Sequence, residues 1–316
     1  MKIHNEEFNI ETKKINKDQV FCIIGDIHNT NISKLSVWNK IIDEVRKSNP
    51  NFIIIPGDLI YDADDLLNSR DKLTHLIKEL SLIAPVYITY GNHDLKKGKK
   101  LRFNDTNNYF LDLEKDNNGI NLINNKISQV GKENIYLLGI SPSYDSYYSE
   151  YKNKWANNFI TELLNLDVRN IDSGSTFILV IHSPEVLKEV KRYLTEKLAS
   201  DDISQNTREE LNRVKEILEL VDVFVCAHMH NGLIPKIFEF GRKKNNSKGI
   251  VVCESQKATA DEIGHKIKFR VVDYCRGMHD FYNGKIIISR GVTKWPKSIL
   301  NSTGSKDITT VKLLKK

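Results

Sequence analysis

Five short apolar runs in this 316-residue chain end in small polar residues that make good metal ligands. Val20–Ile24 runs into Gly25-Asp26-Ile27-His28, and Phe52–Ile55 into Pro56-Gly57-Asp58. Val86–Thr89 leads to Gly91-Asn92-His93-Asp94, Phe177–Ile181 to His182, and Val221–Cys226 to Ala227-His228-Met229-His230. Five of the nine histidines fall in this set, which is why the set reads as a site. A lone Gly-Asp after a strand is ordinarily a turn or a helix cap. Five such strand ends in one chain are not explained that way. In open α/β sheets ligands bind beyond the carboxyl ends of the strands, so these side chains are expected to converge on one edge. Carboxylate, imidazole and amide donors without thiolate suit Mn, Fe, Zn, Co or Ni. Two such ions about 3.5–4 Å apart need one shared carboxylate, clamp a phosphoryl group and generate hydroxide near neutral pH. The chemistry predicted is hydrolysis of a phosphate ester.

The elements that must position these residues follow from periodicity. Leu35, Trp38, Ile41, Ile42 and Val45 form one stripe of a helix near Leu35–Lys47, which Pro50 closes. Leu66, Leu73, Leu76, Ile77 and Leu80 mark a second helix within Leu66–Ile83. Residues 96–130 are polar, rich in Asn and Lys, and read as an insertion of loops and short strands. The alternation resumes with the strand Ile135–Ile140, then helices near Lys154–Leu164, Glu185–Leu198 and Arg208–Leu220 between the later strands. Beyond residue 232 strands dominate: Ile234–Phe240, Gly249–Cys253, Ile267–Tyr274, Lys285–Ser289 and Ile308–Leu313, with Asn283-Gly284 as a hairpin turn. The class is α/β at the front and mostly β at the back (about 232–316), without repeats or a linker, and reads as one domain over 1–316.

Composition narrows the function. Forty-seven Lys and Arg against 41 Asp and Glu leave a net charge of +6, but Arg290, Lys294, Lys297, Lys306, Lys312, Lys315 and Lys316 face Asp307 alone in the last 27 residues. The preceding chain is therefore neutral, which argues against a nucleic-acid-binding body. No run reaches the roughly 18 apolar residues of a membrane span, and the N-terminus lacks the apolar core of a signal peptide. Cys22, Cys226, Cys253 and Cys275 include no CxxC pair, and three lie in apolar runs. The economical reading is a reduced, cytoplasmic protein, with peripheral membrane contact left open.

GDIH at 25–28, GDL at 57–59, GNHD at 91–94, His182 and AHMH at 227–230 resemble, in that order, the blocks of the calcineurin-like metallophosphoesterases over residues 20–232. The resemblance implies a four-layer αββα sandwich of two mixed sheets with a dinuclear metal site at the strand ends. By the same resemblance, Asp26, His28 and His230 hold one metal. Asn92, His182 and His228 hold the second, and Asp58 bridges; Mn or Fe is favoured. His93 stands beside the phosphate, donating a proton to the leaving oxygen or stabilising charge, and Asp94 orients its ring. Two positions depart from the pattern: Ala227 replaces a glycine, and Asn29 replaces a small residue. GDLIYDAD lacks the Asp-Arg-Gly extension of protein phosphatases. Ser289-Arg290-Gly291-Val292 after a late strand is similar to the bacterial branch with membrane-associated phosphoesterases and lipid-linked pyrophosphatases.

Secondary candidates stand beside the main set. LKKGKKLRF at 95–103 follows the third block, so Lys99, Lys100 and Arg102, within a run that also holds Lys96 and Lys97, are candidates to bind an anionic part of the substrate, as is Arg290. Tyr144, Tyr147, Tyr148 and Tyr151 cluster after a strand and could line a pocket, though core packing or a lid is the commoner role. Neither a P-loop, a GxGxxG, nor a GxSxG motif occurs. The expected partner is a phosphate-bearing substrate, with no obligate protein partner evident. The rival readings are a pyrophosphatase acting on a nucleotide-linked lipid, a cyclic-nucleotide phosphodiesterase, a nuclease, and a non-catalytic binding scaffold of the same fold. A scaffold of that kind loses metal-ligating histidines, and here all seven ligand positions are intact.

Overall fold

The five apolar runs become buried strands, and between them the chain crosses over through helices. The computed structural model describes residues 3–144, 147, 152–230, 249–255, 266–272, 276–292 and 306–316. The expected strand 234–240 lies outside these, as do Tyr148, Tyr151, Lys294 and Lys297.

In the first sheet, β2 (Gln19–Ile23), β3 (Phe52–Ile55), β4 (Val86–Ile88) and β5 (Ile120–Leu122) run parallel in that order. They are linked by α1 (Leu35–Ser48), α2 (Leu66–Ser81) and α3 (Phe103–Lys115). The sheet is completed by β1 (Ile3–Thr12), which pairs parallel with β14 (Lys306–Lys315); β14 in turn pairs antiparallel with β2. The second sheet has the order β12-β13-β9-β8-β7-β6. Its parallel centre is β7 (Ile135–Ile140), β8 (Thr176–Ile181), β9 (Val223–Cys226) and β13 (Gly284–Ile288), with antiparallel β6 (Lys126–Gln129) and β12 (Gly277–Phe281) at the edges. Its helices are α4 (Lys152–Asn165), α5 (Pro184–Leu198) and α6 (Gln205–Leu220). A separate pair, β10 (Gly249–Ser255) with β11 (Lys266–Val272), is antiparallel.

Three apolar layers hold this together. Phe21, Ile23, Phe52 and Ile54 of the first sheet meet Leu137, Ile178, Val180 and Val225 of the second in the middle layer. Alternate residues of the same strands, such as Ile53 and Ile55, face α1–α3, and Leu179 and Ile181 face α4–α6. The strands are therefore buried on both faces, which is why they read as unbroken apolar runs. The expected four-layer sandwich is observed.

The polar stretch 96–130 holds the expected short strands, β5 and β6, but also a helix that was not expected. It supplies α3, the crossover helix between β4 and β5, with Thr106, Tyr109, Phe110 and Leu113 on its buried face. Asn and Asp between those residues dilute the apolar period, so the aromatic stripe carries the helix alone. The hairpin before β13 also shifts by one residue. Phe281 pairs with Gly284, so Tyr282 and Asn283 form the turn, and Tyr282 takes the left-handed conformation at φ +49°.

Asn29 ties the first two helices together. Its Nδ2 donates to the Ser69 carbonyl (2.8 Å) and hydroxyl (2.9 Å), while Trp38 Nε1 donates to its Oδ1 at 3.3 Å. All three groups are buried. Replacing Asn29 with Ala leaves the indole N–H and the Ser69 carbonyl in an apolar layer without this partner. A loss of about 1–3 kcal/mol is expected in urea unfolding; an unchanged midpoint would contradict the assignment.

Candidate metal centre

Each ligand candidate sits one to five residues past a strand end, on backbone bent sharply away from the strand. Asp26 (φ +52°), His28 (+41°), Asp58 (+57°), His228 (+71°) and His230 (+43°) all occupy the left-handed region. They make up five of the eight described non-glycine residues that do so. Such conformations cost of order 1–3 kcal/mol each and persist where the surroundings over-determine them. Here the loops interlock. His28 N–H donates to the Asp58 carbonyl (2.8 Å), Asn29 N–H to that of Leu59 (2.8 Å), and His228 N–H to the Asp26 carboxylate (3.1 Å).

Close approach explains the glycines at these turns. A Cβ on Gly91 would stand 2.3 Å from Asp58 Oδ1 and 2.9 Å from His182 Cε1. One on Gly291 (φ +81°) would stand 2.7 Å from Asp26 Oδ2. Ala227, where the family pattern has glycine, fits because Gly25 opposite has no side chain: a Cβ there would lie 2.6 Å from that of Ala227.

The side chains form two donor groups that share one carboxylate. Ligand atoms of Asp26, His28, Asp58 and His230 all lie within 4.8 Å of one another, and so do those of Asp58, His182 and His228. Asp58 Oδ2 is 3.4 Å from His28 Nε2 and 3.2 Å from His182 Nε2. Imidazole nitrogens also face each other, His28 Nε2 to His230 Nε2 at 3.1 Å and His182 Nε2 to His228 Nδ1 at 3.1 Å. Carboxylate and imidazole ligand atoms brought this close to one another suit a cation between them, so this donor set fits metal binding. Asn92 is buried beside it, between Gly91 and His93, whose N–H donates to Asp58 Oδ1 at 2.9 Å.

The protonation of the group follows from burial and mutual charge. Burial raises the Asp26 carboxyl. It would also raise that of Asp58, but His182, His93 and His28 around it hold it well below the usual carboxylate range. Burial lowers His182, yet the Asp58 carboxylate outweighs it and lifts the imidazole to about 9. Burial and the neighbouring His182 press His228 down to about 3, and burial likewise depresses His28. His182 Nδ1 lies 2.9 Å from the Pro56 carbonyl, which can only accept, so Nδ1 carries a proton and Nε2 faces the group.

His93 and Asp94 are arranged differently from the expectation. The His93 ring is oriented by Tyr61, whose carbonyl accepts from Nδ1 at 2.6 Å. The Asp94 carboxylate instead accepts the backbone N–H groups of Asp58 (2.7 Å), Leu59 (2.8 Å), Ile60 (3.2 Å) and Gly91 (2.8 Å), tying the second block to the third. Burial and the Asp58 charge nevertheless push this carboxyl up to about 7.

The basic candidates do not all reach the centre. Lys99, Lys100 and Arg102 are exposed. Arg290 points at Glu6 (2.9 Å) and Asp307 (3.3 Å), and so links β1 and β14 to the Gly291 turn. Much of the C-terminal charge surplus is spent likewise, Lys312 on Glu7 and Lys316 on Glu11. Two tyrosines flank the centre. Tyr61 lies 4.7 Å from the His93 ring and Tyr147 6.2 Å from that of His182. Tyr147 belongs to the aromatic cluster noted in the sequence. Tyr61 was signalled only by its place three residues after Asp58 in GDLIYDAD. Among the described residues no helix is long and apolar enough to cross a membrane.

The model of the calcineurin-like phosphoesterases matches residues 20–232. A search of curated proteins finds no significant match. Similar solved structures include TT1561 of Thermus thermophilus (11% identity, 66% of this chain and 81% of that one, TM-score 0.38). A dimetal phosphatase from Danio rerio aligns at 12% identity over 86% of this chain and 87% of its own, TM-score 0.40. GAP50, the anchor in the inner membrane complex of Plasmodium, aligns at 15% over 94% and 81%, TM-score 0.42. The family match spans every strand-end residue from Asp26 to His230, and the chain belongs to the calcineurin-like phosphoesterases.

Proposed function

We propose that this protein hydrolyses a phosphate ester with two metal ions held on either side of Asp58. The observation that carries the reading is the pair of buried donor groups sharing that one carboxylate. Asp26, His28 and His230 complete the first set; His182 and His228, with Asn92 beside them, complete the second. Oxygen and nitrogen donors without thiolate favour Mn or Fe, with Zn, Co and Ni compatible. When bound, the ions lower the pKa of water and offset the charge of the phosphoryl group. The chain supplies the rest. His93, fixed at Nδ1 by the Tyr61 carbonyl, offers Nε2 to the leaving oxygen and delivers a proton there. Asp94 keeps Asp58 and Gly91 in register through its four backbone hydrogen bonds. Leu59, Ile60 and Tyr90 are buried around these groups, so the charges act in a poorly solvated setting. Monoester, diester and pyrophosphate are all within this chemistry.

The test is direct. The purified protein should contain a transition metal by elemental analysis. It should also hydrolyse a chromogenic phosphomonoester or its diester, and chelation should remove that activity until Mn is restored. A metal-reconstituted protein inactive on both esters and on a pyrophosphate bond would overturn the proposal.

A further inference from the structure

The basic run after the Asn92–Asp94 turn comes against the centre at one residue. The Asp64 carboxylate accepts the backbone N–H groups of Lys99 (2.7 Å), Lys100 (2.9 Å) and Leu101 (2.8 Å), curling the segment into a tight loop. The side chains of Lys97, Lys99, Lys100 and Arg102 leave that loop for solvent. Lys96 does not. Its N–H donates to the His93 carbonyl at 3.1 Å, and its own carbonyl accepts from Ala63 N–H at 3.1 Å. The residue is thus pinned between the His93 turn and the approach to α2. Its half-buried side chain carries the ammonium to 4.6 Å from the centre of the Tyr61 ring, which itself packs 4.7 Å from His93. No carboxylate among the described residues pairs with it. Burial is the main influence lowering the His93 imidazole, and the charge of Lys96 adds to it.

An ammonium held on a ring face and left without a counter-charge is prepared for an anion. It stands on the side of the centre where His93 lies, the residue proposed above to meet the leaving oxygen. We infer that Lys96 binds a second anionic group carried by the leaving group, so that the preferred substrate is a diphosphate (phosphoanhydride) rather than the ester of an uncharged alcohol. This inference rests on the proposed hydrolase reading and names its substrate class. In the reaction water adds to one phosphorus, and the bond from that phosphorus to the bridging oxygen breaks. The electron pair stays on the bridging oxygen of the departing phosphate, the proton lost by the attacking water passes to that phosphate or to solvent, and nothing is oxidised or reduced. The departing phosphate carries charge that Lys96 offsets, and needs less protonation than an alkoxide does.

The experiment uses the Mn-loaded full chain, with metal content checked in each variant. Affinities for inorganic pyrophosphate and inorganic phosphate are measured by titration, and kcat/KM by hydrolysis of a dinucleotide diphosphate and a chromogenic monoester. Lys96→Met keeps the stem that packs on Tyr61 and removes the charge. The preference for pyrophosphate over phosphate is expected to fall about tenfold in Lys96→Met, as for loss of one charged hydrogen bond, and the preference for the diphosphate substrate with it. Lys96→Arg should recover most of both. Should Lys96→Met unfold, Lys96→Gln makes the same comparison. An unchanged preference in the uncharged variants, or an equal fall in Lys99→Met/Lys100→Met, overturns the inference while leaving the hydrolase reading intact. A Mn-loaded wild type that binds neither anion and cleaves neither substrate overturns both.

Discussion

Asp58→Asn is expected to abolish loading of both metal sites and to lower kcat/KM by on the order of 10³-fold or more. Asp58 is the one residue common to the two donor groups, so its substitution removes a ligand from each at once. The amide retains one oxygen but lacks the charge that offsets two cations. If the pair supplies several kcal/mol of charge stabilisation to the phosphoryl group, then at 1.36 kcal/mol per decade the loss is about three orders of magnitude. The metal-free protein gives a second readout. The folded pKa of His182, lifted to about 9 chiefly by Asp58 against the pull of burial, lies above the ordinary 6.5. That group therefore adds stability which is fully present below pH 6.5 and lost as pH rises toward 9. Metal-free wild type should lose stability across that window, and Asp58→Asn should not show this loss. An Asp58→Asn protein that retains both ions at wild-type activity would exclude a bridging role.

The strand ends carried the site into view because their chemistry is local. A short side chain after a buried run is forced to the sheet edge by topology, whatever the loop does in detail. For that reason Asp26, His28, Asp58, His182, His228 and His230 could be read in advance as one cluster. What could not be read depends on contacts between distant segments. Tyr61 orients His93 through a backbone carbonyl, and every residue has one. Arg290 looked available to substrate until Glu6 and Asp307 arrived from β1 and β14. The strand β1 was hidden because only Ile3 and Ile10 are well buried among polar neighbours, and, seven residues apart, they enter different apolar layers on opposite faces of this edge strand. Ser141, after β7 in the second sheet, illustrates the same limit. With Asn124 it accepts the Tyr90 N–H (3.0 and 2.8 Å), so a polar clamp between the sheets supports the turn that carries Asn92 and His93.

The left-handed backbone at the ligand positions adds a constraint that residue types alone do not express. Of the glycines that precede ligands Gly57 takes positive φ, and Asp26 and Asp58 themselves do so as well. Asp tolerates that region better than most residues, and the cost is met by the hydrogen bonds that lock the loops to one another. Asp94 contributes four of these bonds from a single carboxylate. The family resemblance made it a partner of the ring, whereas its oxygens accept from the turns around Asp58 and Gly91.

His93→Ala separates proton delivery from charge stabilisation by its dependence on the leaving group. With Nδ1–H committed to the Tyr61 carbonyl, Nε2 is the nitrogen free to face substrate, and it can donate only when the ring is cationic. An alkyl alcohol leaves as a strong base and needs that proton; general-acid catalysis of this kind contributes about 10²–10⁴-fold. A nitrophenolate departs without protonation, so the same variant should lose less than about tenfold on the chromogenic ester. The pH profile carries the matching sign. Burial lowers the His93 pKa from its ordinary value, so the cation is scarce at neutral pH. Wild-type kcat/KM for the alkyl ester should accordingly fall as pH rises above that pKa. The limb should be missing in His93→Ala and return when imidazole is added. Equal losses on both esters would make His93 a charge stabiliser, since a phosphoryl group bears the same negative charge whichever alcohol departs. No loss on either would remove His93 from the chemistry.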